Sequence, residues 1–277
     1  MTESELYTAL CLPQELADAL RTTKCDLSAQ EQAAFSQGLR GKDTYAAAAK
    51  QLKARLLEDE RGLGMLRVML AVACDTHDMY RSRHIPDDIY FATMKCFVRF
   101  ACEHKESYGT YGFDRSWWVG RQLSMQLYRL GELEYELSEW DGQPAVSLHI
   151  PSDADLSEAG IAASVGAAKA FLAKYDPMYS DTPIFCASWL LSPSLEGLLS
   201  PTSRIAGFRR HFRIVRYLPE PEDYKQWVYK DPRLAPEDFP ENTSLQRSIK
   251  QYVLAGGKVG EGIGLLVTDK LTDTPCM

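Results

Sequence analysis

Apolar and polar positions change their rhythm part-way along this chain. Up to about residue 128 apolar residues recur every three to four positions, which is the period of helices buried on one side. Tyr45, Ala48, Leu52 and Leu56 keep that spacing in an alanine-rich run. The next segment, Leu63 to Arg83, carries Leu66, Val68, Met69, Leu70, Val72 and Ala73 and is apolar on most sides, as expected of the central helix of a bundle. Pro86, Asp87 and Asp88 restart a helix on which Tyr90, Met94, Phe97, Val98 and Ala101 share a face. After a glycine-punctuated loop at 108–113, a last helix is expected from Arg115 to about Tyr128.

From residue 132 the period drops to two. Leu133, Tyr135 and Leu137 alternate with Glu132, Glu134 and Glu136, which predicts a half-exposed strand over 132–140. Further strands are expected at 144–150, 183–191, 212–218, 224–230 and 262–267. Helices are expected at 156–175, in pieces over 194–211 broken at Pro201, and at 244–254. Alternating strands and helices are the grammar of an α/β sheet. The chain therefore reads as a helical domain over 1–129 and an α/β domain over 130–277.

The sharpest local signal is the strand-to-helix turn after His149, because α/β sheets bind ligands beyond the carboxyl ends of their strands. Pro151 stops the strand, and Asp155 followed three positions later by Glu158 reads as a helix N-cap. A helix start presents unpaired amides to an anion, which nominates Ile150, Ser152, Asp153, Ala154 and Asp155 as phosphate contacts. Histidine is the side-chain type whose unperturbed pKa lies near neutrality, so His149 is the candidate general base; the alternative is a hydrogen-bonded structural histidine. Asp153, Asp155 and Glu158 suit the helix dipole but repel a phosphate. Arg247, at another predicted helix start, is a candidate anchor for a carboxylate or phosphate.

Other residues carry less. Gly256, Gly257, Gly260, Gly262 and Gly264 follow a helix and precede a strand, so they read as a helix C-cap and a turn rather than a phosphate cradle. Cys74 and His77, with Cys96, Cys102, His84 and His104, lack the paired spacing of a metal site, and no metal is expected. Cys186 reads as buried packing. The arginine-rich run from Arg204 to Arg216 reads as a solvated helix end and strand, with an anion pocket as the sharper alternative.

Composition narrows the class. With 45% hydrophobic and 25% charged residues in 277, the chain is an ordinary globular protein, and its formal net charge of -7 disfavours nucleic acid as a partner. No run approaches the roughly 18–20 apolar residues of a membrane span, and the first residues lack the basic and apolar regions of an export signal. Seven cysteines without short paired spacings point to free thiols, so a cytoplasmic location and no membrane partner are expected.

The runs RLGELEYEL, SLHIPSDADLS, CASWLLSPSLEGLLS and TSLQRSIKQYVLAGGKVGEGIG follow one another in an order that is similar to the C-terminal half of a family of bacterial acyltransferases with a GNAT-like C-terminal domain. HIPDDIYFATMKCFVRF and the Trp117-Trp118 segment resemble that family's N-terminal helical domain, and the resemblance extends from about residue 40 onward. It implies an α+β mixed sheet in which an acyl-coenzyme A co-substrate lies where two central strands splay, with its pyrophosphate at the turn from Ile150 to Ser157. It implies direct attack of a small-molecule amine on the thioester, with a base taking the amine proton. The chain departs from the family pattern in two places. PSDADL lacks the usual glutamine or arginine with spaced glycines, and Ser194 to His211 contains no tyrosine to serve as an acid. A GNAT-fold protein that binds small molecules or partners without catalysis is the alternative reading.

Overall fold

A computed structural model describes residues 1–56 and 58–267. The sequence-based second domain runs on to Met277, so its residues 268–277 lie outside the described part. The chain divides into two compact units, Met1–Arg129 and the part from Leu130 onward.

The described residues of the first unit form α1 (Glu3–Ala9), α2 (Gln14–Thr22), α3 (Ala29–Leu39), α4 (Tyr45–Arg55), α5 (Leu63–Ser82), α6 (Asp87–Met94), α7 (Cys96–Tyr108) and α8 (Ser116–Leu123). Helix α5 is the hub: Leu66, Met69, Leu70, Ala73 and Tyr80 have no exposed surface, and α1, α2, α3, α6 and α8 all pack on it. Its apolar residues spread all round the helix because neighbours surround it. The break between α6 and α7 is the single residue Lys95, which keeps helical torsions (φ -58°, ψ -16°). No described helix is long and apolar enough to cross a membrane.

The helix expected to reach Tyr128 stops earlier. The Ser124 hydroxyl donates to the Gly120 carbonyl (2.7 Å), Met125 turns to a left-handed φ of 56°, and the chain leaves as strand β1 (Leu127–Leu130). Helical spacing of Leu123 and Leu127 hid this, since a four-residue strand is too short to show its own period.

A six-stranded mixed sheet runs β1-β2-β3-β4-β6-β5. Strands β2 (Leu133–Trp140) and β3 (Gln143–His149) form a hairpin closed by Asp141 and Gly142, both at positive φ (51° and 75°), as a two-residue turn requires. Helix α9 (Glu158–Tyr175) lies on one face, where Ser164 Oγ meets the Tyr135 hydroxyl at 3.1 Å. Register puts His149 opposite Glu134 and Ser147 opposite Glu136, so these four share the other face.

Strand β4 (Ile184–Ser188) pairs parallel with β3, followed by α10 (Arg204–Arg210), β5 (Phe212–Leu218), α11 (Ser244–Leu254) and β6 (Glu261–Leu266). The strand expected to reach residue 191 ends at Ser188, whose hydroxyl accepts from Leu190 N–H (3.2 Å) and starts a tight turn over Trp189–Leu191. Strand β6 passes close beneath this turn: a Cβ on Gly262 would stand 2.1 Å from the Leu191 carbonyl oxygen. The strand expected over 224–230 is instead a π-helical turn, Lys225–Tyr229. Five residues cannot display a period. Packing decides: Tyr229 stacks on Phe239 at 3.9 Å, with Tyr224 against the same ring. Helix α11 closes as a glycine C-cap, with Gly256 at φ 88° and Gly257 N–H donating to Tyr252 C=O at 2.9 Å.

Candidate active site

The feature that positions the site is a gap in the sheet. Strands β3 and β4 share two register pairs, Val146 with Ile184 and Ser147 with Phe185. Beyond them β3 continues through Leu148 and His149, and β4 through Cys186, Ala187 and Ser188, with no pairing between the two. Their outer edges stay paired, His149 to Glu134 on β2 and Ser188 to Gly262 on β6. The strands therefore part at their carboxyl ends, and Ala187 is exposed in the opening. Strand edges there offer a ligand backbone donors and acceptors at the position where α/β sheets bind small molecules.

The turn that follows β3 is tied down by its own residues. Ile150 is half-buried and Pro151 buried, while Ser152 and Asp153 are exposed. Ala154 N–H donates to Pro151 C=O (3.0 Å), and Asp155 N–H donates to Glu132 Oε2 (2.8 Å). Of the amides expected to face a phosphate, those of Ala154 and Asp155 are thus engaged within the protein. The N-cap expected at Asp155 is Ser157, whose Oγ accepts from Gly160 N–H (3.2 Å). Asp155 instead braces that cap, accepting from Ser157 N–H (3.1 Å) and Oγ–H (2.8 Å). The Ser157 hydroxyl is the main reason its carboxyl is held below the usual range, with the Arg204 charge a smaller contribution. Glu158 and Ala159 follow in the first turn of α9, where amides have no acceptor within the helix.

His149 sits half-buried at the end of β3, with Nε2 2.8 Å from Glu136 Oε2. The carboxylate orients the ring. Sequence spacing alone did not nominate Glu136; the hairpin register brings it two positions from His149 across the ladder. Arg247 is exposed on α11, and its Nη1 donates to the Glu241 carbonyl (2.6 Å) on the preceding loop, so no contact joins it to the β3 turn. Cys186 is fully buried, and burial pushes its thiol pKa up, which suppresses the nucleophilic thiolate.

The positive charge the turn lacks comes from α10. Arg204 Nη1 lies 2.8 Å from Asp155 Oδ1. His211, 2% exposed just after the helix, places Nε2 3.0 Å from Glu158 Oε1, close enough for an ion pair but out of line for a hydrogen bond. Arg209 is structural, donating to the carbonyls of Leu190 (2.8 Å) and Ser192 (2.6 Å). Among the described residues no cluster of histidine, cysteine and acidic side chains could hold a metal ion. A cavity of about 550 Å³ in the helical unit, lined by Leu27, Val68, Val72, Arg67, Cys74 and Asp75 among others, contains none of the residues nominated from sequence.

Comparison with known proteins places this architecture. Residues 127–266 match the GNAT-like C-terminal domain, and residues 1–125 match the N-acyltransferase N-terminal domain. The chain belongs to the family with the GNAT-like C-terminal domain. Its helical first half and mixed-sheet second half are the family's two parts in the family's order. Solved structures share the fold. A mutant acyltransferase crystallised with octanoyl-CoA superposes with a TM-score of 0.81 at 21% identity, over 95% of this chain and 86% of that one. An acyltransferase in complex with decanoyl-CoA and teicoplanin gives 0.70 at 21% identity, over 96% and 99%. An acyltransferase in complex with CoA and 10C-teicoplanin gives 0.70 at 20% identity. No curated protein matches by sequence.

Proposed function

We propose that the protein transfers an acyl group from acyl-CoA to an amine of a small molecule. The observation that carries this reading is the parting of β3 and β4 beyond Ser147 and Phe185, with the start of α9 at the same end. Family membership supports it, as do the CoA thioesters present in the structurally similar acyltransferases. The residues here fit such a ligand. Open strand edges suit the amides of its pantetheine arm, the first turn of α9 suits a phosphate, and Arg204 brings positive charge beside an otherwise acidic turn.

Acyl-CoA supplies the thioester, whose C–S bond breaks as the amine forms its C–N bond, and CoA leaves as the thiolate, which takes a proton from solvent. His149 takes the amine proton as general base, and the Glu136 carboxylate at 2.8 Å stabilises the imidazolium that results. Exposed Ser152 and Asp153, with Ile150 and the first turn of α9, border the phosphates. Ala154 and Asp155 hold the turn in shape through their internal bonds rather than by touching the ligand.

Those engaged amides also favour the rival reading, a protein that binds a ligand on this fold without turnover. Thermal unfolding with and without CoA thioesters tests the binding step. Octanoyl-CoA at about 100 times its Kd stabilises the native state by about 2.7 kcal/mol, a rise in Tm on the order of 5–10 °C. An unmoved Tm with acetyl-, octanoyl- and decanoyl-CoA removes the acyl-transfer reading. A shift without release of CoA thiol to any of a panel of amines leaves the binding protein.

A further inference from the structure

The acids at the start of α9 are answered, one by one, from α10. Asp155 meets Arg204 at 2.8 Å, and Glu158 meets the buried ring of His211 at 3.0 Å. His211 is 2% exposed and neither ring nitrogen has a hydrogen-bond partner, so a polar side chain without a satisfied bond is buried against the first residue of α9. Burying an unsatisfied imidazole costs free energy. The His211 ring stands 3.0 Å from Glu158 at the start of a helix whose dipole favours an anion.

Resting on the acyl-CoA reading above, we propose that the Arg204–Asp155 pair is a latch over the phosphate end of the cleft: Arg204 exchanges the Asp155 carboxylate for a phosphate of the CoA nucleotide. The exchange is physically cheap on both sides. Arg204 and Asp155 are both well exposed, with 73% and 47% of their side-chain surface in solvent, and ion pairs in water hold weakly. Asp155 does not need Arg204 to remain ionised, since its carboxyl is held down chiefly by the Ser157 hydroxyl and least by the arginine. When the guanidinium leaves, the carboxylate keeps its two bonds from Ser157. A phosphate offers Arg204 more charge and a two-pronged acceptor. The latch thereby supplies, from a helix distant in sequence, the basic group missing from the Pro151–Leu156 turn.

Calorimetric titration of the full chain with CoA and with pantetheine, which lacks the phosphates, tests this. Arg204→Ala weakens CoA about tenfold or more and leaves pantetheine unchanged. Asp155→Asn, which retains an acceptor for Ser157, tightens CoA several-fold by removing the competing carboxylate. That gain vanishes in the double variant, because the carboxylate then has no arginine to hold. If wild type binds CoA and Arg204→Ala binds it equally, or loses pantetheine to the same degree, the latch is wrong while the acyl-CoA reading stands. If Asp155→Asn tightens CoA equally with and without Arg204, the effect is plain charge repulsion and the latch is likewise wrong. If wild type binds no CoA, both fall together.

Discussion

Two helix starts in the second unit look alike in sequence and do different things in the structure. Helix α11 opens with a reciprocal capping box: Thr243 Oγ1 accepts from Gln246 N–H, and Gln246 Oε1 accepts from Thr243 N–H. Arg247 beside it folds back onto the Glu241 carbonyl, and the helix packs into an aromatic cluster with Tyr229 and Phe239. Helix α9 opens with the single cap Ser157, and Asp155, Glu158, Arg204 and His211 crowd around it. One start is closed by its own residues; the other has charge from a separate helix aimed at it and stands where two strands part. A helix N-terminus becomes a site through its surroundings.

The largest expected effect tests the α9 end directly. His149→Ala lowers kcat/KM for acyl transfer by about 100-fold or more while leaving Tm within a degree or two, as befits a general base. Glu136→Gln acts in the same direction with a smaller loss. Equal losses of Tm and activity in both variants assign the pair to stability alone.

Capping comes next. Ser157→Ala and Thr243→Ala each cost about 1 kcal/mol in chemical denaturation, since each removes one N-cap acceptor. Only Ser157→Ala also weakens CoA in titration. Equal effects on CoA would erase the distinction between the two helix starts.

Asp155 adds a pH signature. Its folded carboxyl is depressed, so the stability it contributes is present above the ordinary carboxylate pKa and is lost as pH falls through the depressed value. The Tm difference between wild type and Asp155→Ala, present at pH 7, therefore shrinks as the pH is lowered below the ordinary Asp range. Thr243→Ala has no such dependence, because a hydroxyl cap does not titrate. The smallest effect is expected at Arg247→Ala, whose guanidinium donates to the Glu241 carbonyl of its own loop: CoA affinity is unchanged and Tm moves by less than about 2 °C.

Much of this was legible along the chain. The runs RLGELEYEL through GKVGEGIG pointed to the acyltransferase family, the GNAT-like fold and the CoA thioester its structural relatives bind. Helix α11 and its glycine cap could be read because Thr243, Gln246, Gly256 and Gly257 bond within a few residues of one another. The turn over 224–230 was misread because Tyr224 and Tyr229 take their conformation from Phe239, fifteen and ten residues beyond them. Asp155 was misread as the cap because Asp and Ser two positions apart are equivalent by sequence, and its carboxylate is instead taken by Ser157 and by Arg204, 49 residues away.

By itself the sequence determined what short-range chemistry controls: the change of period near residue 130, the start and glycine cap of α11, and the runs of residues whose resemblance points to the family. Tertiary structure alone decided that β3 and β4 part after two pairs, that Glu136 reaches His149, and that Arg204 and His211 face the acids of α9. The physical reason is separation along the chain. Hydrogen bonds that close within a turn leave a local pattern of residue types, whereas an opened strand edge or a charge delivered from another helix depends on packing between segments that no local pattern encodes.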